Sequence, residues 1–209
     1  MLNLIPRYLL QSKAIMLEPA KPFTWASGWK SPIYCDNRIT LSFPEIRTAI
    51  RNSFVEKIKE YFPSIEVIAG VATGAIAQGA LVAEAMKMPF AYVRSAPKKH
   101  GMENLIEGIV NPGQKVVVIE DLISTGGSSL QAVEALRKVG AEVLGMVAIF
   151  TYGFSIAEEN FKAANCKLVT LTNYVELLNF ALESNYIKKD ELEVLQQWRK
   201  SPDTWMQDK

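Results

Sequence analysis

Apolar and polar positions along this chain repeat one order: a short β-branched run, a glycine-rich interruption, then a helical period. Val67-Ile68-Ala69 leads through Gly70-Val71-Ala72-Thr73-Gly74 into an alanine-rich stretch that predicts a helix over about 75–87. A short strand is predicted at 90–94 and a second buried strand at 115–119. Ser124 to Ser129 then open a helix over about 128–139, which Gly140 stops from the position just past its end, and 143–150 is the next strand. Such alternation predicts an α/β fold, a central parallel sheet flanked by helices on both faces.

Outside that core, Ser42-Phe43-Pro44-Glu45 reads as a capping box. It opens a helix with Ile46, Ile50, Phe54, Ile58 and Phe62 on one face. Asn173-Tyr174-Val175-Glu176 opens a later helix in the same way, and a last amphipathic helix near 190–200 is built around Leu192, Leu195 and Trp198. Residues from about 1 to 40 precede the sheet and hold Trp25, Trp29, Lys30 and Tyr34. They read as a small hood over its edge, so 1–209 is expected to be a single domain.

The chain has 209 residues, 49% hydrophobic and 22% charged, which excludes a mostly disordered chain and suffices to bury one core. With 23 basic against 22 acidic residues it lacks the overall basic charge of a general nucleic-acid binder, although a small charged substrate reads only local charge. His100 is the single histidine, so a two-histidine mechanism or a histidine-rich metal site is excluded. Cys35 and Cys166 have no CxxC partner, which excludes a structural zinc site, and they read as reduced thiols. Arg7 and Lys13 interrupt the apolar N-terminus, while Thr73, Gln78, Glu84 and three glycines interrupt 68–86. Neither a secretory signal nor a membrane span is expected, and the protein is read as cytoplasmic.

The densest chemistry lies in Val116-Val117-Val118-Ile119-Glu120-Asp121-Leu122-Ile123-Ser124-Thr125-Gly126-Gly127-Ser128-Ser129. Two carboxylates stand at the C-terminal end of a central strand, where open α/β sheets hold their ligands. The following glycines and hydroxyls open a helix whose free N–H groups favour a phosphate. Carboxylates beside a phosphate cradle imply something between them, namely sugar hydroxyls or a divalent metal. No lysine follows the glycines as a Walker loop needs, and GxGxxG is absent.

This stretch resembles the phosphoribosyl-pyrophosphate (PRPP) motif of type I phosphoribosyltransferases. The resemblance implies that family's fold, with Glu120 and Asp121 facing the ribose hydroxyls and the run Leu122, Ile123, Ser124, Thr125, Gly126, Gly127 and Ser128 belonging to the PRPP site. Mg²⁺ would be held through PRPP near the two acids. Asp-Asp is the more usual pair, so Glu120 is a departure. Arg94-Ser95-Ala96-Pro97-Lys98-Lys99-His100-Gly101 begins a connection running to about Gly113, long enough for a lid. It is similar to the mobile loop of orotate phosphoribosyltransferases, which implies that Arg94, Lys98 and His100 bind PRPP, the lid being shared across a homodimer, and that Lys98, His100 and Asp121 serve catalysis. Ser95 stands where many relatives carry lysine. The turn at Ala72, Thr73 and Gly74 would offer backbone N–H groups to pyrophosphate.

Phe23-Thr24-Trp25-Ala26-Ser27-Gly28-Trp29-Lys30-Ser31-Pro32-Ile33-Tyr34-Cys35-Asp36 interleaves aromatic and polar residues. It resembles the N-terminal segment of the same family, which extends the likeness over nearly the whole chain. The implied reaction joins PRPP and orotate to give orotidine 5′-monophosphate and pyrophosphate in pyrimidine biosynthesis. Alternatives are transfer to a purine or xanthine, or a non-catalytic PRPP-sensing regulator, which would have no need of Lys98 and His100. Some relatives carry basic residues where this chain has Ala26 and, near a strand exit, Thr151. Orotate recognition then falls to Ser124, Lys30 and groups around Tyr34 and Cys35.

Overall fold

The computed structural model describes residues 4–25, 28–95 and 105–206. The chain runs α1 (Ile5–Gln11), β1 (Ile15–Leu17), β2 (Phe23–Thr24), β3 (Lys30–Ser31), β4 (Ile33–Cys35), a 3-10 helix (Asn37–Ser42) and α2 (Pro44–Tyr61). Then come β5 (Val67–Val71), α3 (Ile76–Met86), β6 (Phe90–Val93), β7 (Ile106–Glu107), β8 (Lys115–Ile123) and α4 (Gly127–Lys138). The chain closes with β9 (Glu142–Thr151), α5 (Ser155–Ala163), β10 (Leu168–Asn173), α6 (Tyr174–Glu183) and α7 (Lys189–Lys200).

Six strands form one sheet in the order β10-β9-β8-β5-β6-β7. All neighbours are parallel except β7, which runs antiparallel to β6 through Tyr92↔Glu107 and Val93↔Ile106. Part of the long connection after Arg94 is therefore an edge strand and not loop. Strand alternation divides the buried residues between two cores. Ile68, Val117, Ile119, Val147 and Ile149 face α1, α2, α6 and α7. Val67, Ala69, Val116, Val118, Met146 and Ala148 face α4 and α5. The parallel α/β sheet covered on both faces is as the periodicity predicts.

Several boundaries move for physical reasons. Ser42 does not cap α2, because it ends the preceding 3-10 helix. Phe43 is the N-cap without a side-chain bond, and Pro44 starts the helix from a position that needs no N–H. The second cap does form: Asn173 Oδ1 accepts from the N–H groups of Val175 and Glu176 at 3.0 and 3.1 Å. Strand β8 continues four residues past Ile119, since Glu120, Leu122 and Ile123 still pair with Ala148, Phe150 and Thr151 of β9. At the other end of the chain, α1 packs into the first core through Ile5, Leu9 and Leu10, and two small antiparallel pairs, β1 with β4 and β2 with β3, follow it. Among the described residues no helix is long and apolar enough to cross a membrane.

Candidate active site

Strands β5, β6 and β8 end side by side, and their C-terminal ends open into a cavity of about 570 Å³. It brings together residues far apart in the chain: Ala72, Thr73 and Gly74 after β5, Arg94 and Ser95 after β6, and Glu120, Asp121, Leu122, Ser124, Thr125, Gly126 and Ser128 from β8 and its turn. Ile123 does not line it. Ile123 packs into the second core, out of phase with Val117 and Ile119 of the same strand, and its carbonyl accepts from Tyr152 N–H at 3.2 Å. Gly127 begins α4 without lining the cavity. Lys98 and His100 lie outside the described residues.

The turn after β8 depends on Gly126. Its φ of +81° is left-handed backbone, and an added Cβ would come within 2.7 Å of the Phe161 ring. It is the N-cap of α4 and gives no side-chain bond, so the first N–H groups of that helix remain for a ligand in the cavity. Asn160 Nδ2 braces the turn by donating to Thr125 O at 3.0 Å.

The two acids have different surroundings. Glu120 is only 5% exposed. Its Oε1 accepts from Asp121 N–H at 2.9 Å, and its Oε2 accepts from Ser129 Oγ at 2.8 Å. Burial, then the neighbouring Asp121 charge, push its carboxyl well above the ordinary range. Asp121 is half-buried and faces the cavity. Its backbone carbonyl accepts from Asn37 Nδ2 at 2.6 Å, which ties the hood to the strand end. Gly74 lies so close that a Cβ there would overlap the Asp121 carboxylate. The Ala72–Thr73 peptide in the same turn is cis.

A second pocket, of about 300 Å³, adjoins the first through Cys35, Leu122 and Ser124. Trp25, Tyr34 and Tyr152 supply its aromatic walls, with Thr24 at the edge. Lys30 reaches that edge, its Nζ donating to Thr24 Oγ1 at 3.0 Å. Trp25 packs on Tyr152 and edge-on to Trp198 of α7, with ring centroids 5.3 and 5.6 Å apart. Thr151 is used within the strand exit, its Oγ1 donating to Ile123 O at 3.3 Å and accepting from Gly153 N–H at 3.1 Å. The cation that comes to this exit is Arg199 of α7, whose Nη2 donates to Gly153 O at 2.9 Å.

Burial, then the charges of Asp121 and Asp36, push the Cys35 thiol up, so at neutral pH it is no nucleophile. Among the described residues no group of three or more His, Cys, Asp or Glu could hold a metal by itself. What the residues offer is helix N–H groups, hydroxyls, two arginines and the carboxylate of Asp121, with Asp36 paired to Arg38 and Glu120 bonded to Ser129. That set suits a phosphorylated sugar and electrostatic, not covalent, catalysis. Sequence reading did not find Asp36, Arg38 and Ser129, which also line the cavity. No local spacing marks them, and Asn37 and Asp121 meet across 84 positions of sequence.

The family model for the phosphoribosyl transferase domain matches residues 41–185. An orotate phosphoribosyltransferase from Porphyromonas gingivalis is 61% identical over 203 residues, 97% of each chain. Among solved structures, UMP synthase of Leishmania donovani superposes with a TM-score of 0.81 at 25% identity, covering 95% of this chain and 42% of that one. Orotate phosphoribosyltransferase of Aeropyrum pernix gives a TM-score of 0.74 at 24% identity, over 88% and 99% of the two chains, and shows the same fold. Identity of this order, sustained from the hood to the last helix, means that the chain belongs to the family of orotate phosphoribosyltransferases.

Proposed function

We propose that the chain transfers the phosphoribosyl group of PRPP to orotate, releasing pyrophosphate and forming orotidine 5′-monophosphate for pyrimidine biosynthesis. The observation that carries this reading is the continuity of the two cavities. A phosphate-and-sugar site opens through Ser124 and Leu122 onto an aromatic pocket of a size for one planar base.

Breaking the bond between ribose C1 and pyrophosphate builds positive charge on the sugar and negative charge on the leaving group. The N-terminus of α4, with Ser124, Thr125 and Ser128, holds the 5-phosphate at one end of the cavity. Asp121 takes the ribose hydroxyls, while Glu120, bonded to Ser129 and to Asp121 N–H, sets the backbone that carries it. In the turn at Ala72–Gly74 the Ala72 N–H donates to Val93 O at 2.8 Å, which leaves those of Thr73 and Gly74 for pyrophosphate, and Arg94 adds charge from the neighbouring strand end. The donor set fits Mg²⁺ held mainly by substrate oxygens with Asp121 as the protein's carboxylate, since Mg²⁺ commonly keeps only one or two protein ligands. When bound, the ion neutralises charge on the pyrophosphate.

Orotate needs no strong base, because its ring nitrogen is a competent nucleophile once deprotonated. Trp25, Tyr34 and Tyr152 enclose the ring, and Lys30 at the pocket edge faces its carboxylate. By resemblance, Lys98 and His100 close over PRPP from the second subunit of a homodimer and exclude water. A cytoplasmic location fits thiols left reduced at Cys35 and Cys166. The test is the loss of orotate absorbance in the presence of both PRPP and Mg²⁺. Omission of either abolishes it, and consumption of PRPP with a purine base but not with orotate would overturn the assignment.

A further inference from the structure

Positive charge in the sequence reading sits on the lid side of the cavity. The structure adds a cation from the hood. Arg38, at the start of the 3-10 helix that follows β4, lines the cavity together with Arg94. These are the two cations among the described lining residues, against Asp36, Glu120 and Asp121. Arg94 is already paired with Glu107 at 3.6 Å.

Arg38 is held in a fixed direction. Asp36 Oδ1 accepts from Arg38 Nε at 2.7 Å and from its backbone N–H at 3.1 Å, while Asp36 Oδ2 accepts from Nη2 at 2.8 Å. The side chain is 59% exposed, and an ion pair so open contributes little to stability. Its effect is geometric. With Nε and one edge of Nη2 taken, the donors of the Nη1–Nη2 edge remain as a fork, and Nη1 makes no hydrogen bond among the described residues. Such a fork matches two oxygens of a phosphate. Asp36 and Asp121 both hold the guanidinium in its charged form.

Asp121 connects the fork with the turn after β5. Arg38 lies within the field of Asp121, and Asp121 lies against Gly74 of the turn after β5. The 5-phosphate cradle is at α4. Arg38 also lines the larger cavity and not the aromatic pocket, so orotate's carboxylate is not its partner. We infer that Arg38, aimed by Asp36, is a binding residue for the pyrophosphate group, gripping it from the hood side of the cavity. This rests on the PRPP reading given above.

Equilibrium titration of PRPP and of inorganic pyrophosphate into wild type, R38A, R38K and D36N tests it without turnover. R38A is expected to weaken both ligands about 10- to 100-fold, the range for a hydrogen bond to a charged group. R38K keeps charge but loses the fork and recovers part of the loss, and D36N, with the fork unaimed, falls between wild type and R38A. KM for orotate changes less than about threefold, since Arg38 is outside the base pocket. If R38A loses its fold, R38Q replaces it in the same comparison. R38A that binds pyrophosphate as wild type does, or whose main loss is in KM for orotate, overturns the inference. A wild-type protein that binds neither PRPP nor pyrophosphate overturns instead the reading on which it rests.

Discussion

Two neighbouring strand–turn–helix units, β5 to α3 and β8 to α4, share one architecture and divide the chemistry unequally. The strands pair in parallel and end at the same edge of the sheet. Both following helices begin without a side-chain cap, at Ala75 and at Gly126. At α4 the first turn itself lines the cavity through Ser128 and Ser129, a preparation for anions, whereas after β5 only the turn residues Ala72–Gly74 reach it. The turn after β5 adds almost nothing to this, being built of small residues with only Thr73 polar. The end of β8 and the turn into α4 add two carboxylates, Glu120 and Asp121, and the hydroxyls of Ser124, Thr125, Ser128 and Ser129. One turn can only hold an anion, while the other holds an anion and the sugar next to it. They meet where Gly74 lies against Asp121.

The comparison breaks first if Asp121 is dispensable. D121N keeps the side chain's shape but removes the cavity-facing charge, and kcat/KM is expected to fall about 10²–10³-fold, the scale for losing one preorganised electrostatic contact. The same variant tests the proposed homodimer. If the lid comes from the other subunit, mixing D121N with K98A restores one intact site in each mixed dimer, and random mixing returns about a quarter of the wild-type rate. Verified mixed dimers without recovery would exclude a shared site.

A smaller effect tests whether the two turns act as a unit. In G74A the new Cβ falls on the Asp121 carboxylate, which can swing aside because it is the far end of a side chain. The fold should survive with a melting temperature near wild type. Activity should drop about 10- to 100-fold through displacement of the acid, as small misplacements commonly do. Activity equal to wild type would mean that the contact between the turns is incidental.

Most of this architecture was legible because it is local. Each unit announces itself by a β-branched run, glycines and a helical period within about 30 residues. The acid pair and the turn to Ser128 could be placed on a strand end for the same reason. Three things were not legible. Sheet pairing with β9 draws Glu120 into the strand, so an acid that the resemblance sets facing the ribose hydroxyls is buried. Ser129, the residue that satisfies it, is nine positions on and reaches it only because Gly126 reverses the chain. The hood's contribution through Asn37, Asp36 and Arg38 depends on tertiary contact with β8 and leaves no periodic trace.

The finest division lies at the end of β8, between the buried acid and the half-buried one, and pH tests the buried one. Glu120 is pushed up by burial and by Asp121, so its folded-state pKa exceeds its unfolded value. As pH rises past the ordinary carboxyl range, near 4.3 for a free glutamate, the unfolded chain ionises first and the folded state loses stability until its own pKa is passed. The amide that E120Q places there does not titrate. In metal-free buffer without substrate, the stability of E120Q relative to wild type should therefore increase from about pH 4 upward and then level off, each tenfold preference for the protonated form being about 1.4 kcal/mol. S129A removes a donor that favours the charged form, so it should destabilise by about 1–3 kcal/mol at neutral pH and by less near pH 4. Denaturant unfolding of the three proteins across pH 4–8 measures both trends. A difference between E120Q and wild type that stays flat over that range would show that Glu120 is ionised in the fold as readily as in the open chain. Burial would then not be what sets Glu120 apart as the positioning carboxyl.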